Sequence, residues 1–261
     1  MRKLSVAILV SMALAMPALA QSNDDDYTPL GSRIKRDRQF PTELEDRFKY
    51  DQRSKVDRER SKDMMAQISE CLYKRAGPDL ALGFLDKTDF GFSDFRQINL
   101  DVDRAQKIYG FGDCLDRVAD ANSASVQLRW TPNYLRQWMV QEAYFSRYRD
   151  KPTWIKPGYV VSERTYPLSE HDRGVRAAMD FADCVVAADP YGADYFYRIP
   201  DGSPNVKDAL NALMPALGPC LPQGMKMQVS PYGLRVWLGE ALWHAANHSA
   251  PAPADPPKAG Q

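Results

Sequence analysis

Two stretches of this chain carry the same residues in the same order, and that duplication limits the fold more than composition does. The later stretch reads Gly218-Pro-Cys-Leu221, then Ser230-Pro-Tyr-Gly-Leu-Arg-Val-Trp237. The earlier one reads Gly112-Asp-Cys-Leu115, then Thr131-Pro-Asn-Tyr-Leu-Arg-Gln-Trp138. Upstream, each copy has another cysteine directly behind an acid: Glu70 before Cys71 and Asp183 before Cys184. Aligned through the tryptophans, Gln141 matches Glu240 and Tyr144 matches Trp243. Recurrence of this kind marks a unit that completes its core by packing against its neighbour. The expected fold is therefore mainly α, with two tandem disulfide-closed helical repeats over residues 63–150 and 175–248 and short extended segments inside them.

Local signals place the elements. Met64, Met65, Ile68 and Leu72 recur at helical spacing, and Gly77-Pro78 interrupts that helix before a short continuation from Leu80 to Leu85. The aromatic, glycine-broken run from Phe90 to Phe95 predicts a loop whose rings cover the core of the first copy. A helix over residues 101–109 then delivers Cys114. Val126-Gln-Leu-Arg-Trp130 and Met225-Lys-Met-Gln-Val229 alternate with period two and predict short extended segments. Next, Thr131 and Ser230 each precede a proline, so a hydroxyl can cap the first turn while proline leaves no amide unpaired. Residues 151–174, punctuated by three prolines, form an irregular linker in which Tyr159-Val-Val161 can add a strand.

The chain has four cysteines, which admit three connectivities, and free thiols or bonds between the copies are alternatives. The repeat favours closure of each copy on itself, Cys71 to Cys114 and Cys184 to Cys220. An even cysteine count fits an oxidising compartment. So does the first segment: Met1-Arg-Lys3, an apolar run, and Pro17-Ala-Leu-Ala20 have the layout of a signal peptide over residues 1–20. The expected location is periplasmic or secreted, with no transmembrane span once the signal is removed. Residues 21–62 form a charged, partly disordered leader that turns helical as it meets the first copy, and residues 249–261 form a proline- and alanine-rich disordered tail. Lys plus Arg and Asp plus Glu each number 34, so no charge excess draws this chain to nucleic acid.

Phe181-Ala-Asp-Cys184, Gly218-Pro-Cys-Leu-Pro-Gln-Gly224, Leu234-Arg235 and Gly239-Glu-Ala-Leu-Trp243 resemble the sequences of uncharacterised exported alphaproteobacterial proteins that carry a duplicated cysteine-containing helical repeat. The resemblance is specific over the second copy and weaker over the first. It implies export and a shared helical fold, and it brings no activity or catalytic residues with it.

Candidate sites are few. His171, His244 and His248 are the only histidines, and Glu240, His244 and His248 share one helix face at a spacing that could hold a transition metal. That face lacks the H-E-x-x-H arrangement of a zinc peptidase, and histidines near a helix end suit the dipole on their own. No metal or cofactor is assigned. His171 is the one histidine left to serve as a base, and no G-x-S-x-G accompanies it. Arg136 and Arg235 occupy the first turns of their helices, where the dipole disfavours a cation. Each is expected to pair with the acid before its copy's first cysteine, Glu70 or Asp183, the alternative being an anionic ligand. The sequence reading is a noncatalytic binding or assembly module of the bacterial envelope, meeting an envelope protein or small ligand. An envelope hydrolase with its site between the copies is the alternative.

Overall fold

The computed structural model describes residues 32–35, 46–123, 125–128, 130–157, 159–200, 203–221 and 230–251. The residues expected to form the signal peptide, much of the leader, the extended segment expected at 225–229 and the tail beyond 251 lie outside the described residues.

The chain is mainly α-helical. A short strand β1 (Ser32–Lys35) precedes the long helix α1 (Asp46–Lys87), so the leader meets the first copy inside a helix. Gly77 breaks α1 with φ +75°, a left-handed value glycine adopts without strain, and Pro78 follows it. The segment beyond the break buries Ala81, Phe84 and Leu85. After the aromatic loop come α2 (Val102–Tyr109), capped by Asp101, and α3 (Phe111–Ala121), which carries Cys114. Then follow β2 (Ser125–Leu128), α4 (Pro132–Arg147) and β3 (Tyr159–Val161). The remainder is α5 (Arg173–Ala188), α6 (Pro190–Arg198), α7 (Val206–Leu217), α8 (Pro231–His248) and β4 (Ser249–Pro251). Residues 249–251, expected to begin a disordered tail, instead pair antiparallel with β3, with Val161 opposite Ser249. Likewise β1, within the stretch expected to be disordered, pairs antiparallel with β2.

The two disulfides are Cys71–Cys114 and Cys184–Cys220, each with Cα atoms 5.7 Å apart. The first ties α1 to α3, and the second ties α5 to the 3₁₀ turn Gly218–Cys220 that follows α7. In each half the cysteine helix packs along that half's proline-started helix, α1 on α4 and α5 on α8. The two proline-started helices then pack on each other. At their starts they differ: Ser230 accepts from the Gly233 amide at 3.0 Å, whereas the Thr131 side chain makes no capping bond. The preset φ of Pro132 is what remains in common.

The core runs through both halves without a gap. In the first, Phe92 and Phe95 are buried and meet edge to face at 5.4 Å, and Phe111 stacks on Trp130 at 4.2 Å, as expected of rings covering this core. In the second, α8 is buried continuously from 238 to 245, so it is a central helix rather than one with a single apolar face. Gly239 lets α6 close on it, because a Cβ there would stand 2.5 Å from the Tyr197 ring. The only carboxylate in that buried run is Glu240.

Candidate functional site

The acids expected to meet the shared arginines pair with other bases. Arg136 is 4% exposed and forms a two-pronged pair with Glu240, Nε to Oε1 and Nη2 to Oε2, both at 2.9 Å. Its Nη1 donates to the Leu85 carbonyl at 3.1 Å, the Thr88 carbonyl at 2.6 Å and the Thr88 hydroxyl at 2.7 Å. Glu70, the expected partner, is exposed on α1 and pairs with Lys74 one turn away. Arg235 donates from Nη1 to the Ile199 carbonyl at 2.6 Å and lies over the Tyr197 ring. Asp183 is held instead by Arg164, Nε to Oδ2 at 2.8 Å and Nη2 to Oδ1 at 2.5 Å.

These corrections share one physical cause. A guanidinium buried beside helix ends is satisfied by the carbonyls those ends leave unpaired. Arg136 closes the end of α1, and Arg235 closes the end of α6, so the matched arginines perform matched tasks. Arg136 receives its carboxylate across the junction from Glu240, whose match in the first half is the neutral Gln141. The Arg136–Glu240 pair therefore crosslinks the two halves rather than locking one.

Other buried polar groups are also committed to packing. The Tyr144 hydroxyl donates to Asp194 at 2.7 Å and accepts from Trp154 Nε1 at 3.2 Å. Arg198 grips the same Asp194 at 2.7 Å and the Tyr148 carbonyl at 2.6 Å. Burial pushes the Tyr144 and Tyr197 hydroxyls far above the usual phenol range. Burial likewise raises the Glu142 carboxyl, against the opposing bond donated by the buried Ser69 hydroxyl at 2.5 Å.

His244 and His248 rings lie 4.7 Å apart. Both Glu240 oxygens are held by Arg136, and among the described residues no group of three or more His, Cys, Asp or Glu side chains is arranged to hold a metal. His244 Nε2 lies 2.9 Å from the Ser162 carbonyl, which can only accept, so Nε2 carries the proton. Burial, reinforced by the Arg164 charge, holds this imidazole below its ordinary 6.5. The unfolded chain then takes up the proton first, so the contribution of neutral His244 is present above about pH 6.5 and lost as pH falls through the lower folded value. The unfolding temperature of the wild type is expected to drop between about pH 7 and about pH 5, and His244→Gln should flatten part of that drop. Parallel profiles for the two proteins would remove His244 from the explanation.

Two of the clefts on the described surface bear on function. The larger, about 410 Å³, lies between residues 91–97 of the aromatic loop and residues 167–172 of the linker. Asp89, 6% exposed, fastens its walls together: Oδ1 accepts from the Gly91 amide at 2.9 Å, and Oδ2 accepts from the Leu168 and Ser169 amides at 2.7 and 3.0 Å. His171 lines this cleft beside Ser169, yet the Ser169 hydroxyl bonds to nothing among the described residues, so the two do not form a nucleophile and base pair. The smaller, about 290 Å³, is an aromatic and aliphatic groove beside β2, lined by Phe95, Val102, Leu128 and Trp130.

Sequence reasoning picked out His171 but not Asp89 or Ser169. The only local signal was the pair of hydrogen-bonding residues Thr88 and Asp89 ahead of the aromatic loop, and the contact Asp89 makes spans 79 residues. Among the described residues, no helix is long and apolar enough to cross a membrane. Comparison of the chain with family models, with curated proteins and with solved structures finds no match.

Proposed function

We propose that this chain is a noncatalytic binding or assembly module of the bacterial cell envelope, built from a duplicated, disulfide-closed unit. One observation carries the reading: the buried groups Glu142, Tyr144, Tyr197 and His244, whose pKa values are displaced, lie in helix packing, and none of the four lines either cleft. Catalytic sites tend to combine the two, placing displaced groups inside a cleft. Here Glu142, Tyr144, Tyr197 and His244 hold helices and linker together instead. A periplasmic or secreted location fits two disulfides, the layout of the first segment and the resemblance to exported repeat proteins. The partner is an envelope protein or a small ligand.

The test sets binding against turnover. Purified protein is incubated with envelope extract, and crosslinked complexes and released products are analysed together. A saturable complex without product is the expected result. Release of peptidoglycan fragments or ester products, abolished by His171→Ala or Ser169→Ala, would make the chain a hydrolase.

A further inference from the structure

We propose that the groove beside β2 is the docking seat of the chain's own leader, Tyr27-Thr-Pro-Leu30, which continues the line of β1 across it. The groove, about 290 Å³, is lined by Phe95, Val102, Gln106, Leu128, Trp130 and Pro132. All but Gln106 are apolar, and Val102 at the start of α2 is 50% exposed. An apolar wall of this kind gains by being covered.

What covers it follows from the strand register. β1 runs antiparallel to β2 with Lys35 opposite Ser125 and Ser32 opposite Leu128, so each step back along β1 is a step forward along β2. Continued past Ser32, the same register sets Leu30 opposite Trp130 and Thr28 opposite Pro132. Leu128, Trp130 and Pro132 are the groove's own wall. At about 3.4 Å per residue, two further residues of strand carry the leader from Leu128 to Trp130.

The side-chain period agrees. Residues two apart share a face of a strand, and Val126, Leu128 and Trp130 lie partly buried against the core. Their register partners Ile34, Ser32 and Leu30 carry no charge, whereas the alternate positions are Gly31, Arg33 and Lys35. A slip by one residue would turn both cations towards the core, so the pattern holds the register that brings Leu30 to Trp130. Prolines set the length of the pairing. Pro29 has no amide to donate and Pro132 opens α4, so the ladder stops where the groove does. A separate chain is the poorer occupant, because β1 already tethers the leader at the groove's edge and so raises its local concentration.

The experiment reads through-space proton contacts in the isotope-labelled full chain. Contacts from the Leu30 methyls to the Trp130 ring within one molecule are the expected result. Leu30→Asp should lower the ratio of docked to free leader by roughly tenfold or more, the weight of one buried leucine, and move the Val102 and Leu128 methyl resonances. A peptide of residues 24–34 should then bind the Leu30→Asp chain saturably at those methyls, and bind the wild type at least about tenfold more weakly because the attached leader competes. Leu30 methyls without contact to Trp130, or Val102 and Leu128 methyls unmoved in the variant, would overturn the assignment. Equal peptide binding by both chains would do the same. So would contacts seen only between differently labelled molecules, which would make a second copy the occupant.

Discussion

Arg136→Ala is expected to destabilise the protein by roughly 3–5 kcal/mol and to lower its unfolding temperature by on the order of 10 °C. The guanidinium is 4% exposed and its Glu240 partner 1%, so the deletion strands a carboxylate inside α8. The Leu85 and Thr88 carbonyls at the end of α1 lose their donor in the same step. An unpaired buried charge is the dominant cost, since water cannot replace the lost partner without opening the junction between α4 and α8. Removing both charges should therefore hurt less than removing one. Arg136→Met combined with Glu240→Leu is expected to recover much of the loss in urea unfolding, giving a coupling of a few kcal/mol in the double-mutant cycle. If Arg136→Ala shifts stability by under about 0.5 kcal/mol, the junction is not held by this pair.

Arg235 is the internal control. It also closes a helix end, through the Ile199 carbonyl, and it lies over the Tyr197 ring. Arg235 is only half-buried, so water can reach what its replacement by alanine uncovers, and the effect should be the smaller. The contrast bears on function as well as stability, because the arginine shared by both halves was also the residue type suited to an anionic ligand. Arg136 has both prongs occupied by Glu240 and a third nitrogen on α1, which leaves no face for such a ligand.

What the sequence disclosed and what it hid divide along one line. Relations inside a copy were legible. Pairing of Cys71 with Cys114 and of Cys184 with Cys220 follows from the repeat, and helix starts at Pro132 and Pro231 follow from proline chemistry. Burial of Phe92 and Phe95 follows from ring density in a short loop. Relations between copies, or between a copy and the linker, were not. Treating each copy as self-contained assigned Arg136 to Glu70, whereas the partner that satisfies it sits 104 residues away. Asp183 was assigned to Arg235, whereas Arg164 comes from a linker with no counterpart in the repeat. Asp89 fastens the cleft through backbone amides of that same linker, and backbone donors leave no trace in side-chain spacing.

Loss of the disulfides should rival loss of the ion pair, and for a different reason. The bonds span 43 and 36 residues, and closing loops of that length removes unfolded-state entropy worth about 4 kcal/mol each on a chain-entropy account. The two bonds differ in their surroundings: Cys114 is fully buried and Cys71 is 6% exposed, whereas Cys220 is only partly buried at the end of its 3₁₀ turn. Cys71→Ala with Cys114→Ala is therefore expected to cost more than Cys184→Ala with Cys220→Ala, because it also leaves a void between α1 and α3. Removing both bonds takes away about 8 kcal/mol, comparable with the entire folding free energy of roughly 5–15 kcal/mol that globular domains have. Under strong reductant the helical circular dichroism should accordingly collapse at a temperature well below that of the oxidised protein, and the chain with all four cysteines replaced should be largely unfolded near physiological temperature. An unchanged melting curve after complete reduction would mean that the helices hold themselves together. The bonds would then fasten a fold already made, and an oxidising compartment would not be needed to keep it.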